Sequence, residues 1–218
     1  MSELVLDVER LIWRGRALAR LDSGQVVLIE PGVFPGERVR ARVTKRARDH
    51  LRAEWTEVLS PSPHRRPHPC RVSHRCGGCR FGALVHRVEL EYKRELLLSE
   101  MRRALGRKWA DSAPRDIAVH PSPSAWRYRW RGQIEVERQQ PHLKALGSGE
   151  LVHCPDCLLF SRPLARGAKE LSRDLPPGRW TVAASPLDWD AGVRGSDKWL
   201  RLPLPEEGVE LRVRPTTF

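Results

Sequence analysis

The stretch PHPCRVSHRCGGCR, residues 67–80, holds three of the five cysteines of a 218-residue chain. These are Cys70, Cys76 and Cys79, with the spacing Cys-x5-Cys-x2-Cys. Thiols at this density fit either a disulfide framework or a centre that binds metal. Disulfide, zinc and iron–sulfur interpretations each imply a different kind of protein.

Gly77 and Gly78 separate the last two cysteines of the stretch. Glycine lets the backbone turn sharply, so two thiolates can point to one centre and amide N–H groups can approach the sulfurs. Three thiolates leave a tetrahedral zinc site or a four-iron cluster one ligand short. Cys154 and Cys157, in the segment HCPDC, are the remaining sources of a fourth thiolate. Spacing alone slightly favours zinc, because structural zinc sites with four thiolates are common.

The composition bears on the choice between disulfides and metal. The chain has no apolar run of about eighteen residues, so neither a membrane span nor a membrane partner is expected. The first residues, MSELVLDVERLIWRGR, carry acids and bases and lack the apolar core of a signal peptide. We therefore expect a cytoplasmic protein whose thiols stay reduced, and metal binding in preference to disulfides.

The positive charge is concentrated in one part of the chain. The formal net charge is +12, and residues 61–110 carry twelve Lys and Arg against four Asp and Glu, a net charge of +8. A protein this basic usually binds a polyanion, and the localised charge indicates a specific contact face. The alternative is that the basic composition serves solubility or reflects an arginine-favouring genome, which accounts less well for the clustering.

Residues 3–60 contain short apolar runs separated by turns, which predict short strands. In one run, ERVRARVT, three arginines alternate with three apolar residues: Arg38, Arg40 and Arg42 against Val39, Ala41 and Val43. A period of two places the arginines on one strand face and the apolar residues in the core. The short strands predict a small OB-like barrel, a shape that often binds nucleic acid. The arginine face is either a contact for RNA or a solvated barrel face.

The proline-rich segment SPSPHRRPHP ends this region, and residues 86–107 then show a helical pattern. The apolar residues at roughly helical spacing are Leu90, Leu97, Met101 and Leu105. Gly106 is the predicted stop of this basic helix.

The segment WRYRWRGQIEVERQ, residues 126–139, alternates aromatic residues with arginines. Trp126, Tyr128 and Trp130 alternate with Arg127, Arg129 and Arg131. As a strand, the segment would present an aromatic face and a guanidinium face. Arginines bind phosphates and aromatic rings stack on bases, so nucleic acid is a natural partner. The alternative is an ordinary half-buried strand with a buried aromatic face and an exposed basic face.

The order of these segments resembles the 5-methyluridine RNA methyltransferase family, whose members methylate uracil C5 in 23S ribosomal RNA or transfer RNA. The resemblance is carried by PGVFPGERVRARV, by the cysteine run followed by FGALVHRVELEYKRE, by WRYRWRGQIEV and by LVHCPDCLL. It implies a TRAM domain for the first barrel and a [4Fe–4S] cluster in a small central domain. The implied cluster ligands are Cys70, Cys76, Cys79 and Cys154.

The resemblance also distinguishes the two distant cysteines. Cys154 follows Leu151 and Val152 and precedes Pro155, as the Cys-Pro position of the family does. Cys157 stands where the family usually has an apolar residue, so it is interpreted as an additional thiol that is not a ligand.

The resemblance finally implies a missing part. Family members continue past a P-x-x-F pattern into a Rossmann-like methyltransferase domain, and here Pro215 and Phe218 occupy that place at the end of the sequence. No glycine-rich loop that could hold S-adenosylmethionine follows a strand, and GSGE at 147–150 is interpreted as a turn. The thiol that adds to uracil C6 lies in the missing part of the family pattern. No catalytic residue is therefore assigned, and S-adenosylmethionine is expected only if the missing domain is supplied.

These observations predict a mainly β chain with one or two helices. We expect an OB-like TRAM barrel in residues 1–60, a cysteine-cluster loop and basic helix in 61–110, and a β-rich iron–sulfur central domain in 111–218. The leading hypothesis is the RNA-binding and cluster-binding portion of a uracil-C5 methyltransferase, truncated or split and not catalytic alone. Its partners would be structured RNA and a separate methyltransferase chain. The alternative is a stand-alone adaptor protein that binds zinc or a cluster and has no role in RNA methylation.

Overall fold

A computed structural model of the chain describes residues 2–109, 112, 114–187, 190–193, 200–203 and 210–213. Pro215 and Phe218, used above for the P-x-x-F pattern, lie outside the described residues. The chain divides into two compact units. The first unit comprises Met1–Pro69 and Arg80–Pro121, and the second comprises Cys70–Cys79 and Ser122–Phe218. Residues 61–110 contribute to both units, and the domain boundaries and TRAM assignment made from the sequence stay predictions.

The first unit is built on a six-stranded sheet with the strand order β1-β5-β6-β4-β3-β2. Its strands are β1 Glu3–Asp7, β2 Arg10–Ile12, β3 Arg16–Arg20, β4 Val26–Ile29, β5 Arg38–Arg46 and β6 His50–Ser60. The pair β4–β6 is parallel, and the other neighbouring pairs are antiparallel. The alternation predicted for β5 is confirmed, since Val39, Ala41 and Val43 are buried in the core of the unit. Shared apolar burial of this kind is what fixes the register of a strand.

A buried carboxylate holds the proline-rich segment to this sheet. Glu37 is 1% exposed and accepts hydrogen bonds from the backbone N–H groups of Phe34 (2.9 Å) and Ser62 (3.2 Å). The guanidinium of Arg65 donates to both carboxylate oxygens, at 2.5 and 2.8 Å, and also to the carbonyl of Gly32 at 2.7 Å. A charge this deeply buried is tolerated only when it is paired and hydrogen-bonded. Local sequence carries no signal of this pair, because its members are 28 residues apart in the chain.

The helix α1 spans His86–Trp109 and has a break at Gly106, whose φ of 69° is non-helical. The predicted helix is therefore confirmed. Gly106, its predicted stop, is a break within the helix instead, and the predicted apolar stripe is wrong. Leu97 and Leu105 are 49% and 41% exposed, whereas Val88 and Leu98 are buried. The predicted stripe lies on a different face of the helix from the buried one, because consecutive leucines such as Leu96, Leu97 and Leu98 fit more than one helical stripe.

The second unit contains a five-stranded antiparallel sheet with the order β11-β10-β7-β8-β9 and a separate two-stranded sheet of β12 and β13. Its strands are β7 Arg131–Glu137, β8 Gln140–Lys144, β9 Leu151–His153, β10 Gly178–Ala184, β11 Ala191–Val193, β12 Leu200–Pro203 and β13 Glu210–Val213. The helix α2, Arg162–Leu171, buries Leu164, Ala165 and Ala168. Its start is capped by Ser161, whose side chain accepts from Leu164 N at 3.3 Å.

The mainly β fold class predicted from the sequence is wrong. The described residues form one mixed sheet, two antiparallel sheets and two α-helices, α1 and α2. The sequence missed α2 and could not show the parallel pair β4–β6, because period-two alternation identifies a strand but not its neighbours. Neither of the helices in the described ranges is long and apolar enough to cross a membrane.

Candidate cysteine centre and arginine–aromatic surface

The cysteine loop, residues 70–79, is fastened to the hairpin of β8 and β9. Cys76 forms an antiparallel bridge with Ala145, and Gly77 N donates to Lys144 O at 3.2 Å. Arg75 O accepts from Leu146 N at 3.2 Å, and the Arg75 guanidinium lies 3.0 Å from the carboxylate of Glu150 (the pair closes the far side of the loop). The backbone contacts fix the position of this loop within the second unit.

The two glycines of the loop have different roles. A Cβ on Gly77 would lie 3.2 Å from Leu146 Cα, so a side chain there would press on the backbone of the hairpin. The N–H of Gly78 is hydrogen-bonded to the sulfur of Cys76, in agreement with the expectation that amide groups approach the sulfurs. Gly77 is thus required for close approach of two backbones rather than for a sharp turn.

Cys154 and Cys157 follow β9 and lie in the core of the second unit, at 9% and 7% exposure. Cys154 N donates to Pro141 O at 3.3 Å, which ties the turn to β8. The two thiols are hydrogen-bonded to each other. The family resemblance separated Cys154 from Cys157, whereas the structure buries both.

The thiols of the two segments perturb one another electrostatically. Burial, followed by the charges of Cys157 and other cysteines, raises the pKa of Cys79 to about 12. The hydrogen bond from Cys154 lowers the pKa of Cys157 to about 6, with help from the N–H groups of Leu159 and Phe160. The same hydrogen bond and burial raise the pKa of Cys154. Such mutual effects act at close range, and Cys79 of the loop packs against the core that contains Cys154 and Cys157.

In the described part of the chain, no group of three or more His, Cys, Asp or Glu is arranged to hold a single metal ion. All four predicted ligands, and Cys157 with them, nevertheless belong to the second unit. Their role as ligands stays a prediction from the sequence. The chemistry of the set is that of soft thiolates, which suit zinc and iron–sulfur clusters.

Arg127 does not occupy a strand. Its φ of 62° breaks the extended backbone, so the strand predicted from Trp126 begins only at Arg131. The guanidinium forms a two-bond ion pair with Asp156, Nη1 to Oδ1 at 2.6 Å and Nη2 to Oδ2 at 2.8 Å, and donates to Cys157 O at 3.2 Å. Arg127 therefore holds the turn that carries the distant cysteines, and its assignment to RNA stays a prediction.

The next four residues, Tyr128, Arg129, Trp130 and Arg131, are all exposed. We call them the arginine–aromatic surface. Within the described residues neither Arg129 nor Arg131 forms an ion pair with a carboxylate, while Arg129 Cζ lies 5.9 Å from the centroid of the Tyr128 ring. Trp126, in contrast, packs against the core. The sequence predicted either separate aromatic and guanidinium faces or a buried aromatic face. Neither description is complete, because the aromatic rings and the guanidinium groups of residues 128–131 are exposed together.

The arginines of β5 are exposed or half-buried and are paired with acids of the neighbouring strands. Arg38 Nε lies 4.0 Å from Asp7, Arg40 Nε lies 3.2 Å from Glu57, and Arg42 Nη2 lies 3.4 Å from Glu54. The structure places them on one face, as predicted, but with part of their charge balanced.

Comparison with known proteins identifies relatives of this chain. It is 31% identical over 163 residues to an uncharacterized RNA methyltransferase of Bdellovibrio bacteriovorus, covering 75% of this chain and 40% of the relative. It is 32% identical over 177 residues to the 23S rRNA (uracil(1939)-C(5))-methyltransferase RlmD of Pseudomonas putida, covering 78% and 37%. The chain thus spans about two fifths of the length of these curated relatives. No family model matches it.

A solved structure with the same fold corrects one prediction. The tRNA (uracil-54, C5)-methyltransferase of Pyrococcus abyssi, in complex with S-adenosyl-L-homocysteine, matches 98% of this chain and 60% of its own, with a TM-score of 0.66 and 17% identity. The prediction that a methyltransferase fold is absent is therefore wrong. It relied on a missing glycine-rich loop, whereas a fold is set by how strands and helices pack along the whole chain.

Proposed function

We propose that this chain, which belongs by sequence to the RNA uracil-C5 methyltransferase family, acts in the methylation of uracil C5 in ribosomal or transfer RNA. S-adenosylmethionine is the methyl donor. The described residues are assigned two roles in this activity. The thiols of the second unit bind an iron–sulfur cluster, and exposed arginines bind the RNA backbone. The relatives named above support the reaction class, and the two roles depend on the side chains of this chain.

We assign the cluster to Cys70, Cys76, Cys79 and Cys154. The observation that carries this assignment is the meeting, in one unit, of the loop thiols with thiols that follow β9 in sequence. In a [4Fe–4S] cluster each of four thiolates binds a different iron, so the ligands are spread more widely than around one ion. When bound, the cluster ties the loop to the strand near Cys154.

One amide group favours a negatively charged cluster in this place. Burial raises the pKa of Cys76, and the hydrogen bond from the N–H of Gly78 acts against that rise. Hydrogen bonds to ligand sulfurs and nearby positive charge stabilise thiolates and tune a cluster. The residues of this site hold and orient the cluster, and no redox step is assigned to it.

The RNA role is assigned to Arg38, Arg40, Arg42, Arg129 and Arg131, with the net charge of +8 in residues 61–110 as the long-range attraction. The ion pairs of the β5 arginines do not prevent this role. Solvent-exposed ion pairs are worth about 0–1 kcal/mol, so phosphates can replace the carboxylates. Arg127 is assigned to positioning the turn of Cys154 and Cys157 instead of to RNA.

RNA binding and methyl transfer test the proposed function directly. The purified protein is mixed with a radiolabelled hairpin of 23S ribosomal RNA or with transfer RNA over a salt series, and transfer from labelled S-adenosylmethionine is measured in parallel. We expect binding that weakens steeply with salt and labelled 5-methyluridine in the RNA. No affinity for either RNA at low salt would exclude the RNA role. Binding without transfer would restrict the chain to the binding role.

A further inference from the structure

We propose that Tyr128 and Trp130 stack on bases of single-stranded RNA, while Arg129 and Arg131 bind the phosphates of the same strand. The proposal rests on the RNA role proposed above and makes it more specific. It names unpaired nucleotides as the partner of the arginine–aromatic surface. A base-paired stem would reach only the two arginines.

The exposure of the two aromatic rings is the first observation. Tyr128 and Trp130 are 42% and 36% exposed, whereas Trp126 in the same segment packs against the core. Large aromatic side chains contribute most when they are covered, so two solvated rings close together mark a surface that a partner covers. Because both rings lie on one short segment, a single partner strand can contact them together.

The backbone of the surface is held rigidly, and this is the second observation. Arg129 N donates to Leu159 O at 2.9 Å, and Arg129 O accepts from Ser161 N at 2.7 Å. Trp130 O accepts from Ala184 N at 2.8 Å. The Arg127 ion pair with Asp156 fixes the residue that precedes Tyr128. A rigid segment loses little conformational entropy on binding, which favours contact through its side chains.

The charge of the surface identifies the chemistry of its partner. Among the described residues neither Arg129 nor Arg131 has a carboxylate partner, in contrast to the arginines of β5. Unpaired guanidinium groups beside exposed rings match a polyanion that also carries flat apolar groups. Single-stranded nucleic acid has both, since each nucleotide supplies one phosphate and one base face. In duplex RNA the base faces are already stacked, and the rings of Tyr128 and Trp130 would find no partner.

The test compares one RNA sequence in two forms. Binding of a fluorescein-labelled twelve-nucleotide single-stranded RNA and of its blunt duplex to the full chain is measured by anisotropy over a salt series. The variants are Tyr128→Ala with Trp130→Ala, the ring-preserving pair Tyr128→Phe with Trp130→Phe, and the pair Arg129→Gln with Arg131→Gln. Leu187→Ala is the control, because Leu187 is 38% exposed in the same unit and has no proposed role. Circular dichroism melting shows whether each variant is folded.

Each variant has a distinct expected signature. The alanine pair should weaken single-stranded binding by about tenfold or more, leave duplex binding unchanged, and keep the salt slope. The phenylalanine pair should restore most of the affinity, since rings of either kind stack. The glutamine pair should weaken both RNA forms and reduce the salt slope by about two. Leu187→Ala should bind as the parent chain does.

Two results would contradict this inference and leave the proposed RNA role intact. Equal loss of single-stranded and duplex binding in the alanine pair would show that the rings do not read unpaired bases. Unchanged binding in that folded variant would show that the rings do not contact RNA. If the parent chain binds neither RNA form at low salt, the proposed function fails instead, and the rings belong to a surface for another class of partner.

Discussion

Two segments of this chain alternate arginine with apolar or aromatic residues, and they fold differently. In β5 the alternation is that of a regular strand, with buried apolar side chains and arginines paired with acids on β1 and β6. In residues 126–131 the alternation is broken at Arg127, and the following four side chains are exposed together. The difference shows that a period of two predicts a strand only where neighbouring strands supply both a core and partners for the charges.

The largest effect is expected next to the first segment, at the buried Glu37. Glu37→Ala leaves the Arg65 guanidinium without its carboxylate, so the free energy of unfolding should fall by about 3–5 kcal/mol. Chemical denaturation followed by circular dichroism measures this change. Glu54→Ala, which removes an exposed partner of Arg42, is the control and should change stability by less than about 1 kcal/mol. Equal effects of the two variants would contradict the view that burial separates them.

Gly132 tests how closely the second segment is packed. A Cβ there would lie 2.4 Å from Cζ of the buried Phe160, so Gly132→Ala should cost about 1–3 kcal/mol of stability through overpacking. Combining it with Phe160→Leu makes room for the new methyl group, and the two effects should then be less than additive. Additive losses would mean that the methyl group and the ring do not compete for space.

Arg127 and Arg38 can be compared by the same conservative change. Arg127→Lys keeps the charge but loses the two-bond contact with Asp156 and the bonds to backbone carbonyls. We expect a loss of stability of about 1 kcal/mol, with no change in the salt slope of RNA binding. Arg38→Lys, at an exposed pair of 4.0 Å, should leave stability unchanged. Equal melting temperatures of the two variants would mean that Arg127 contributes no more to stability than a surface arginine does.

Freeing the β5 arginines should strengthen RNA binding slightly. Glu54→Gln with Glu57→Gln removes the partners of Arg42 and Arg40 without changing the strand. Because exposed pairs are weak, the affinity for RNA should rise by only about two- to fivefold, as measured in the salt series. The matched change Glu150→Gln, which frees Arg75 in the cysteine loop, indicates how much of any gain reflects net charge alone. A decrease in affinity would mean that the carboxylates themselves contact the RNA.

An effect of similar size is a pH dependence in the second unit. Arg179 and Lys144 lower the pKa of Glu135. Because the folded pKa lies below the unfolded one, the pairs stabilise the fold at neutral pH, and this stability is lost as the pH falls through the folded pKa. We expect a loss of about 1 kcal/mol between about pH 5 and pH 3. Glu135→Gln should remove this part of the acid dependence, and an unaltered pH profile would contradict the assignment.

How far the sequence predicted the fold can be judged from particular residues. The burial of Val39, Ala41 and Val43 follows from local alternation, and the break at Gly106 follows from its conformational freedom. The left-handed backbone of Arg127 does not follow from local sequence, because it depends on Asp156, which is 29 residues away in the chain.

The helix α2 is a different kind of miss, since its start signal was present. Ser161 and Pro163 form a capping position followed by proline in the first turn, and this pattern indicates a helix beginning at Arg162. The buried Glu37 lacked a local signal, because its partner Arg65 is 28 residues away. Contacts at long sequence separation therefore account for most of what the sequence did not reveal.

For the candidate site, the sequence identified the loop thiols and both distant cysteines, but it ranked Cys154 and Cys157 only by resemblance. It could not foresee that the two thiols are hydrogen-bonded to each other in one core. The alternating pattern assigned all three arginines of residues 127–131 to RNA, because periodicity does not show which arginine pairs with a carboxylate.

Metal analysis of Cys154→Ser beside Cys157→Ser tests the central claim, that thiols from the loop and from the turn after β9 bind one iron–sulfur cluster. Both variants and the parent chain are purified anaerobically, and iron, zinc and the absorbance at about 400 nm are measured. We predict a brown parent chain with about four irons, the same in Cys157→Ser, and loss of most iron and colour in Cys154→Ser. A colourless parent chain with one zinc, or full iron content in a folded Cys154→Ser, would contradict the account.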